Sequence, residues 1–245
     1  MGFSLKSLPL LAVILLLFSC GGEKITSLTA AGLKEPFLRV VELYKEKDPH
    51  REVDVVFAGS GSLLVKLESR LGDLYIPASY SYMEEAVKKG LIDPKTVKIL
   101  AYHEPVLVVR KPYAGQIKDL KDLLKADLRI GIADPREAAI GRVTYQILKK
   151  AGLWETLQPK IVVKTPTVNQ LLLYFKSGQI DAAIIWEELS KKLPNVEVIK
   201  FPPQLVEREP IPVGVTTFTK NREAALQFEK FLLEHREIFR NFGFH

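Results

Sequence analysis

The side chains in this chain that could do chemistry are small and neutral. The stretch FAGSGSLL, Phe57 to Leu64, places two glycines and two serines directly after an apolar run and directly before a helix-like segment. Where a strand hands over to a helix, the first backbone N–H groups have no acceptor within the helix, and small side chains let a ligand approach them. The chemistry this allows is the holding of an anion. Covalent readings fail on spacing. A nucleotide-phosphate loop needs a lysine and a hydroxyl after its last glycine, but Gly61 is followed by Ser62, Leu63 and Leu64. A serine-hydrolase elbow needs glycines two before and two after its nucleophile, whereas Ser60 has Gly59 and Gly61 as immediate neighbours. The histidines, His50, His103, His235 and His245, lack zinc-ligand spacing and have no cysteine pair nearby. The chain therefore reads as a binder, not an enzyme, with no cofactor and no metal; His103, in AYHEP, reads as a polar hinge residue.

The same small-residue signature recurs at other strand-to-helix turns: SLTAAGL, FAGSGSL, ADPREAAIGR and KTPTVNQ. If parallel strands bring these turns to one cleft, several helix N-termini point at one place, each with free N–H donors and a positive dipole end. That arrangement favours a small oxyanion held by neutral donors. Each turn alone also has a plainer reading: Ser60, Ser62 and Thr167 as helix caps, and Asp134 as a turn residue before Pro135.

The elements that must position these turns alternate. KITSLT reads as a strand, LKEPFLRVVELYKEK as a helix with Leu33, Phe37, Val40, Val41 and Tyr44 on one face, EVDVVFAG as a strand, SLLVKLESRL as a helix, DLYIP as a short strand and YMEEAVKKGLI as a helix ending near Gly90. A longer apolar strand, Val106 to Val109, opens a second series: RIGIAD, AIGRVTYQILKKAGLW, PKIVVKT, TVNQLLLYFKSG and DAAIIW. VEVIKFP and PIPVGVTTF follow as strands around the proline-rich connection FPPQLVEREPIP, and NREAALQFEKFLLEHREIFRNFGF reads as one long C-terminal helix. This is an α/β grammar of mostly parallel sheets flanked by helices. Its order predicts two lobes with a ligand cleft between them: residues 20–105 with 206–245 as the first lobe, and 106–205 as the second.

The first nineteen residues differ in kind. Lys6 is their only charge, and LPLLAVILLLF is an apolar run too short for a good membrane span, so residues 1–19 read as a secretory signal. Cys20 closes LFSC, which resembles the lipobox of bacterial lipoproteins; there the leader is cut before the cysteine, which then carries a lipid. Phe18 is bulkier than the usual residue two before that cysteine, and cleavage by an ordinary signal peptidase is the other reading. With no second cysteine there is no internal disulfide, so an exported chain must rely on its core. Its 245 residues, 47% hydrophobic, are enough for one. Without the leader there are 34 basic and 29 acidic side chains, a net +5, with the two signs interleaved. No basic run with aromatics points to nucleic acid, and the mild excess can help draw in an anion.

Taken in order, KITSLTAAGL, FAGSGSLLVKLES, ADPREAAIGR, AGLWETLQPKIVV, TVNQLLLYFKSGQIDAAIIW and IFRNFGF resemble the molybdate-binding proteins of ABC transporters over nearly the whole mature chain. The resemblance implies a periplasmic-binding-protein fold and an exported, lipid-anchored, monomeric receptor that closes on molybdate or tungstate and presents it to a membrane permease. Carried over by position, the first-turn serine falls at Gly32, beside Ala31, leaving only backbone donors there. The second-turn serine falls at Ser60, between Gly59 and Gly61, and keeps its hydroxyl. The second lobe's donors fall at Ile140 and Val168, and a family tyrosine falls at Trp186, whose indole can donate but not accept. Ala139 stands where the family often has proline. Glu187 admits two readings. It is either a solvated helix start or a cleft carboxylate able to accept from a protonated oxyanion such as phosphate. A receptor for phosphate, sulfate or an organic acid, or an enzyme on the same fold, are the alternatives.

Overall fold

The computed structural model describes residues 24–125 and 127–245. The leader and Cys20, with the expectations of export and lipidation attached to them, lie outside the described residues. Among the described residues no helix is long and apolar enough to cross a membrane.

The chain forms two five-stranded sheets. The first βα series is β1 (Lys24–Ala30), α1 (Lys34–Lys47), β2 (Glu52–Ala58), α2 (Ser60–Glu68), β3 (Leu74–Ile76) and α3 (Tyr80–Lys88), followed by β4 (Lys98–His103). The second begins with β5 (Pro105–Arg110) and α4 (Asp122–Lys125), and continues through β6 (Ile130–Ala133), α5 (Ala139–Lys150), α6 (Trp154–Leu157) and β7 (Ile161–Thr165). It ends with α7 (Val168–Lys176), β8 (Ala182–Trp186), α8 (Glu187–Ser190) and β9 (Val196–Lys200). The chain then returns to the first sheet through β10 (Glu209–Val215), and α9 (Arg222–Glu234) and α10 (Arg236–Asn241) complete it.

Strand order is β2-β1-β3-β10-β4 in one sheet and β7-β6-β8-β5-β9 in the other, giving a two-lobed α/β fold. In each sheet the βα series supplies the parallel strands, because parallel neighbours need a helical crossover. Next to β3 and β8 lie β10 and β5, the strands that enter each sheet from the opposite lobe, and both run antiparallel. Position in the sheet shows in the burial of the side chains. β8, AAIIW, is central and buried throughout, while the edge strand β7, IVVKT, alternates in exposure. β4, KILAYH, is a strand that the sequence pattern does not announce.

The C-terminal helix departs from expectation. It is broken at His235, where φ is −110° and ψ 31°. The His235 ring lies on Phe231 at 3.9 Å and its Nδ1 donates to the Phe231 carbonyl at 2.8 Å, an acceptor it shares with its own backbone N–H at 3.2 Å. Before the break, α9 buries one acidic residue. Glu229 Oε1 has no hydrogen-bond partner among the described residues. Burial pushes its carboxyl up to about 7, against a weaker downward pull from Lys98 and Arg222. Because the folded chain keeps this proton longer than the unfolded chain, stability is intact below about pH 4.5 and declines as pH rises toward 7. Glu229→Gln is therefore expected to raise unfolding free energy by about 2 kcal/mol at pH 8 and to change little at pH 4, measured by urea titration at the two pH values.

Candidate functional site

The strand-to-helix turns converge. Ala31 and Gly32 in the 3₁₀ turn after β1, Gly59 and Ser60 at the start of α2, Ile140 in the first turn of α5, Val168 at the start of α7 and Trp186 at the end of β8 line one small cavity of about 20 Å³ between the lobes. Ala78, Ala139 and Thr167 also line it. Its size suits a ligand of a few atoms. Among the described residues no charged side chain lines it. Since the first N–H groups of a helix have no acceptor within the helix, the starts of α2, α5 and α7 bring backbone donors and positive dipole ends to one point.

Ser60 is buried, and its hydroxyl oxygen accepts from the Ala78 N–H at 3.0 Å. That leaves the hydroxyl proton to be donated elsewhere, and Ser60 faces the cavity. It does not cap its helix. Gly59 is the N-cap residue, and the Ser60 carbonyl is held by the Tyr75 hydroxyl at 2.8 Å. Thr167, by contrast, caps α7 by accepting from Gln170 N at 3.2 Å, as the plainer reading of that turn had it. Asp134 is a turn residue as well, accepting from Arg136 N at 2.8 Å. Ala78 lies two residues after β3, past Pro77, and no motif in YIPAS marks it beyond its small size.

Gly61 is not part of the cavity lining. Its N–H donates to the Glu137 carbonyl of the opposite lobe at 2.8 Å. A Cβ at Gly61 would lie 1.9 Å from the Arg136 carbonyl oxygen, and one at Gly59 would lie 2.3 Å from the Glu137 oxygen and 2.5 Å from that of Pro166. These glycines admit the backbone of the other lobe. Further contacts join the lobes around the same place. The Tyr82 hydroxyl donates to the Pro135 and Arg136 carbonyls at 3.2 Å each, and burial pushes its phenol up to about 12, so it remains a donor. Asn169 Nδ2 donates to the Ala31 carbonyl at 2.8 Å, and Lys192 pairs with Glu35 at 2.8 Å.

Gly32 and Trp186 are neighbours. A Cβ on Gly32 would meet Val168 Cγ1 at 3.3 Å and Trp186 Cδ1 at 3.8 Å. The tight neighbour is Val168, while the indole would be in ordinary contact, so Gly32 and Trp186 wall the same part of the cavity. Trp186 is buried and lines the cavity, and among the described residues nothing accepts from its indole N–H. Glu187 does not line the cavity. Its carboxylate is held by Lys200 at 2.8 Å and lies 3.7 Å from His245 Nε2, on the outer side of the crossing between the lobes. Glu104, with which it shares that cluster, is held below the usual carboxylate range by the Arg208 side chain at 2.5 Å.

The chain is similar to known proteins. Residues 25–245 match the family described as bacterial extracellular solute-binding protein. The molybdate-binding protein ModA of Escherichia coli is 28% identical over 98% of this chain and 98% of its own length. The fold matches a periplasmic molybdate-binding protein of Azotobacter vinelandii with a TM-score of 0.77, at 20% identity over 90% of this chain and 98% of that one. It also matches the sulfate-binding protein SubI of Mycobacterium tuberculosis with a TM-score of 0.75, at 17% identity over 90% and 86% of the two chains. With a two-lobed fold, a small cleft cavity lined by helix N-termini and a family match that runs from β1 to the last residue, this chain belongs to the bacterial extracellular solute-binding proteins.

Proposed function

We propose that the protein captures a fully deprotonated tetrahedral oxyanion, molybdate or tungstate, between its lobes and delivers it to an ABC permease, anchored outside the membrane through Cys20. The observation that carries this reading is the cavity lining: a serine hydroxyl with its proton free, an indole N–H without an acceptor, three helix N-termini and, among the described residues, no carboxylate. The molybdate-binding relatives support it from a second side. Such a lining selects by protonation. A singly protonated oxyanion would bury an O–H with no acceptor, at a cost of about 1–3 kcal/mol, which disfavours phosphate. Glu187 was the residue that could have accepted from phosphate, and its carboxylate is engaged by Lys200 outside the cavity. Size then disfavours sulfate, because fixed backbone donors cannot all follow a smaller anion.

Calorimetric titration of the mature protein at neutral pH with molybdate, tungstate, sulfate and phosphate tests the reading. Heat and thermal stabilisation are expected with the first two and at most weak binding with the others; no response to molybdate or tungstate overturns it. Ser60→Ala should weaken binding by roughly 10- to 100-fold, the loss of one donor to a charged group.

A further inference from the structure

The cavity is meant for a double negative charge, yet among the described residues its lining holds no cation. Directly behind the lining is a side chain that can supply one. The His103 ring, at the end of β4, lies flat against Trp186, with centroids 3.5 Å apart and planes inclined by 16°. His103 and Glu188 are both buried. His103 Nε2 is 3.0 Å from the Ala78 carbonyl, so that nitrogen carries a proton. Nδ1 is 3.3 Å from Glu188 Oε1 of α8, where a proton between the two atoms replaces facing lone pairs by a hydrogen bond. With that proton on nitrogen, His103 is an imidazolium paired with a carboxylate from the opposite lobe.

The same residue reaches the cavity a second way. The Ala78 carbonyl that accepts from His103 belongs to the residue whose N–H holds Ser60 Oγ. His103 therefore orients two side-chain donors of the cavity, Trp186 through the stack and Ser60 through Ala78. Glu188 is the carboxylate facing it. On its other sides stand the Ala78 carbonyl, the Trp186 indole and the Phe244 ring, whose centroid is 6.2 Å away. Glu104, its neighbour in the chain, is engaged by Arg208, Lys200 and His245.

We infer that His103 is a positioning and charge-supplying residue for the oxyanion site: as an imidazolium paired with Glu188 it backs Trp186, and the bound dianion and its proton favour one another. This rests on the oxyanion reading above. Because the coupling is reciprocal, anything that removes the proton weakens the anion, and the anion draws the proton in.

The experiment is tungstate titration between pH 6.5 and 9, in buffers of different ionisation enthalpy, on wild type, His103→Gln and His103→Phe. Wild-type affinity should fall as pH rises, with net proton uptake on binding at pH 8.5. His103→Gln can still donate to Ala78 but carries no charge, and His103→Phe keeps only the stack. Both should bind roughly tenfold more weakly at pH 6.5, as expected for losing one charge behind the cavity wall at an intermediate dielectric, and both should lose the proton uptake. In a Trp154→Phe background, where Trp186 is the remaining tryptophan, its emission in the ligand-free protein should rise as the quenching imidazolium deprotonates, and stay flat when His103→Gln is added. Tungstate binding by wild type that is pH-independent and without proton uptake overturns this inference and leaves the oxyanion reading standing. Wild type that binds neither tungstate nor molybdate removes both. Should the variants fail to fold, the wild-type pH profile and proton count still decide.

Discussion

Gly61→Ala is expected to leave both lobes folded and to stop them from closing. Neither Gly59 nor Gly61 has a positive φ, and Gly61 lies inside α2, so alanine fits the local backbone and favours the helix slightly. The obstacle is across the cleft. The new methyl group would stand 1.9 Å from the Arg136 carbonyl oxygen and 2.9 Å from its carbon. That segment cannot easily retreat, since Asp134 accepts from the Arg136 N–H at 2.8 Å and the Tyr82 hydroxyl holds the carbonyls of Pro135 and Arg136. Separating the lobes also breaks the Gly61 N–H bond to Glu137. Because the donors of α2 and of α5 and α7 sit on opposite lobes, ligand affinity should drop by at least about 100-fold, some 3 kcal/mol, while the ligand-free melting temperature barely moves. Small-angle scattering with and without tungstate checks the cause: wild type should contract on binding and Gly61→Ala should not. A variant that contracts and binds like wild type refutes the role given to this glycine.

The largest loss of stability is expected from Phe228→Ala. Phe228 on α9 is fully buried. Its ring meets Phe37 at 5.9 Å and 83° and Tyr44 at 4.9 Å and 62°, both on α1, and Phe37 in turn meets Phe57 of β2 at 6.2 Å. This aromatic cluster fastens the C-terminal helix, which follows the strand returning from the second lobe, onto the first. Removing the ring leaves a cavity that rigid neighbours cannot fill, at a cost of about 3–5 kcal/mol, read from the urea midpoint. Leu173→Ala on the exposed face of α7, 63% exposed, should cost close to nothing by the same measurement and serves as the contrast. None of these four aromatic residues lines the cavity, so Phe228→Ala at low temperature should still bind whatever wild type binds.

Much of the molecule was legible from local pattern. The helix ending near Gly90, at positive φ, follows from the residue type that tolerates that conformation. The run AAIIW is apolar throughout, as a strand buried on both faces requires, whereas IVVKT hides its edge position, since Val162 is as apolar as its neighbours and yet exposed. The break at His235 was not legible, because the apolar spacing stays helical through it and no glycine or proline marks it.

By itself, then, the sequence determined the alternation of helices and strands, the two lobes they build, and the small residues at the strand-to-helix turns. These depend on neighbours a few positions away, and periodicity and turn chemistry report on such neighbours directly. Only the tertiary structure decided which small residue does what. Gly61 looked equivalent to Gly59 and Ser60, yet its N–H is spent on Glu137, 76 positions along the chain. Gly32 and Trp186 read as two separate losses until the indole proved to stand beside the space that a side chain on Gly32 would enter. Glu187 was open to two readings until Lys200 was seen to hold it, and His103 gained its significance from a ring on the other lobe. Close approach and hydrogen-bond pairing join residues distant in the chain, and no local pattern records which donor has been used.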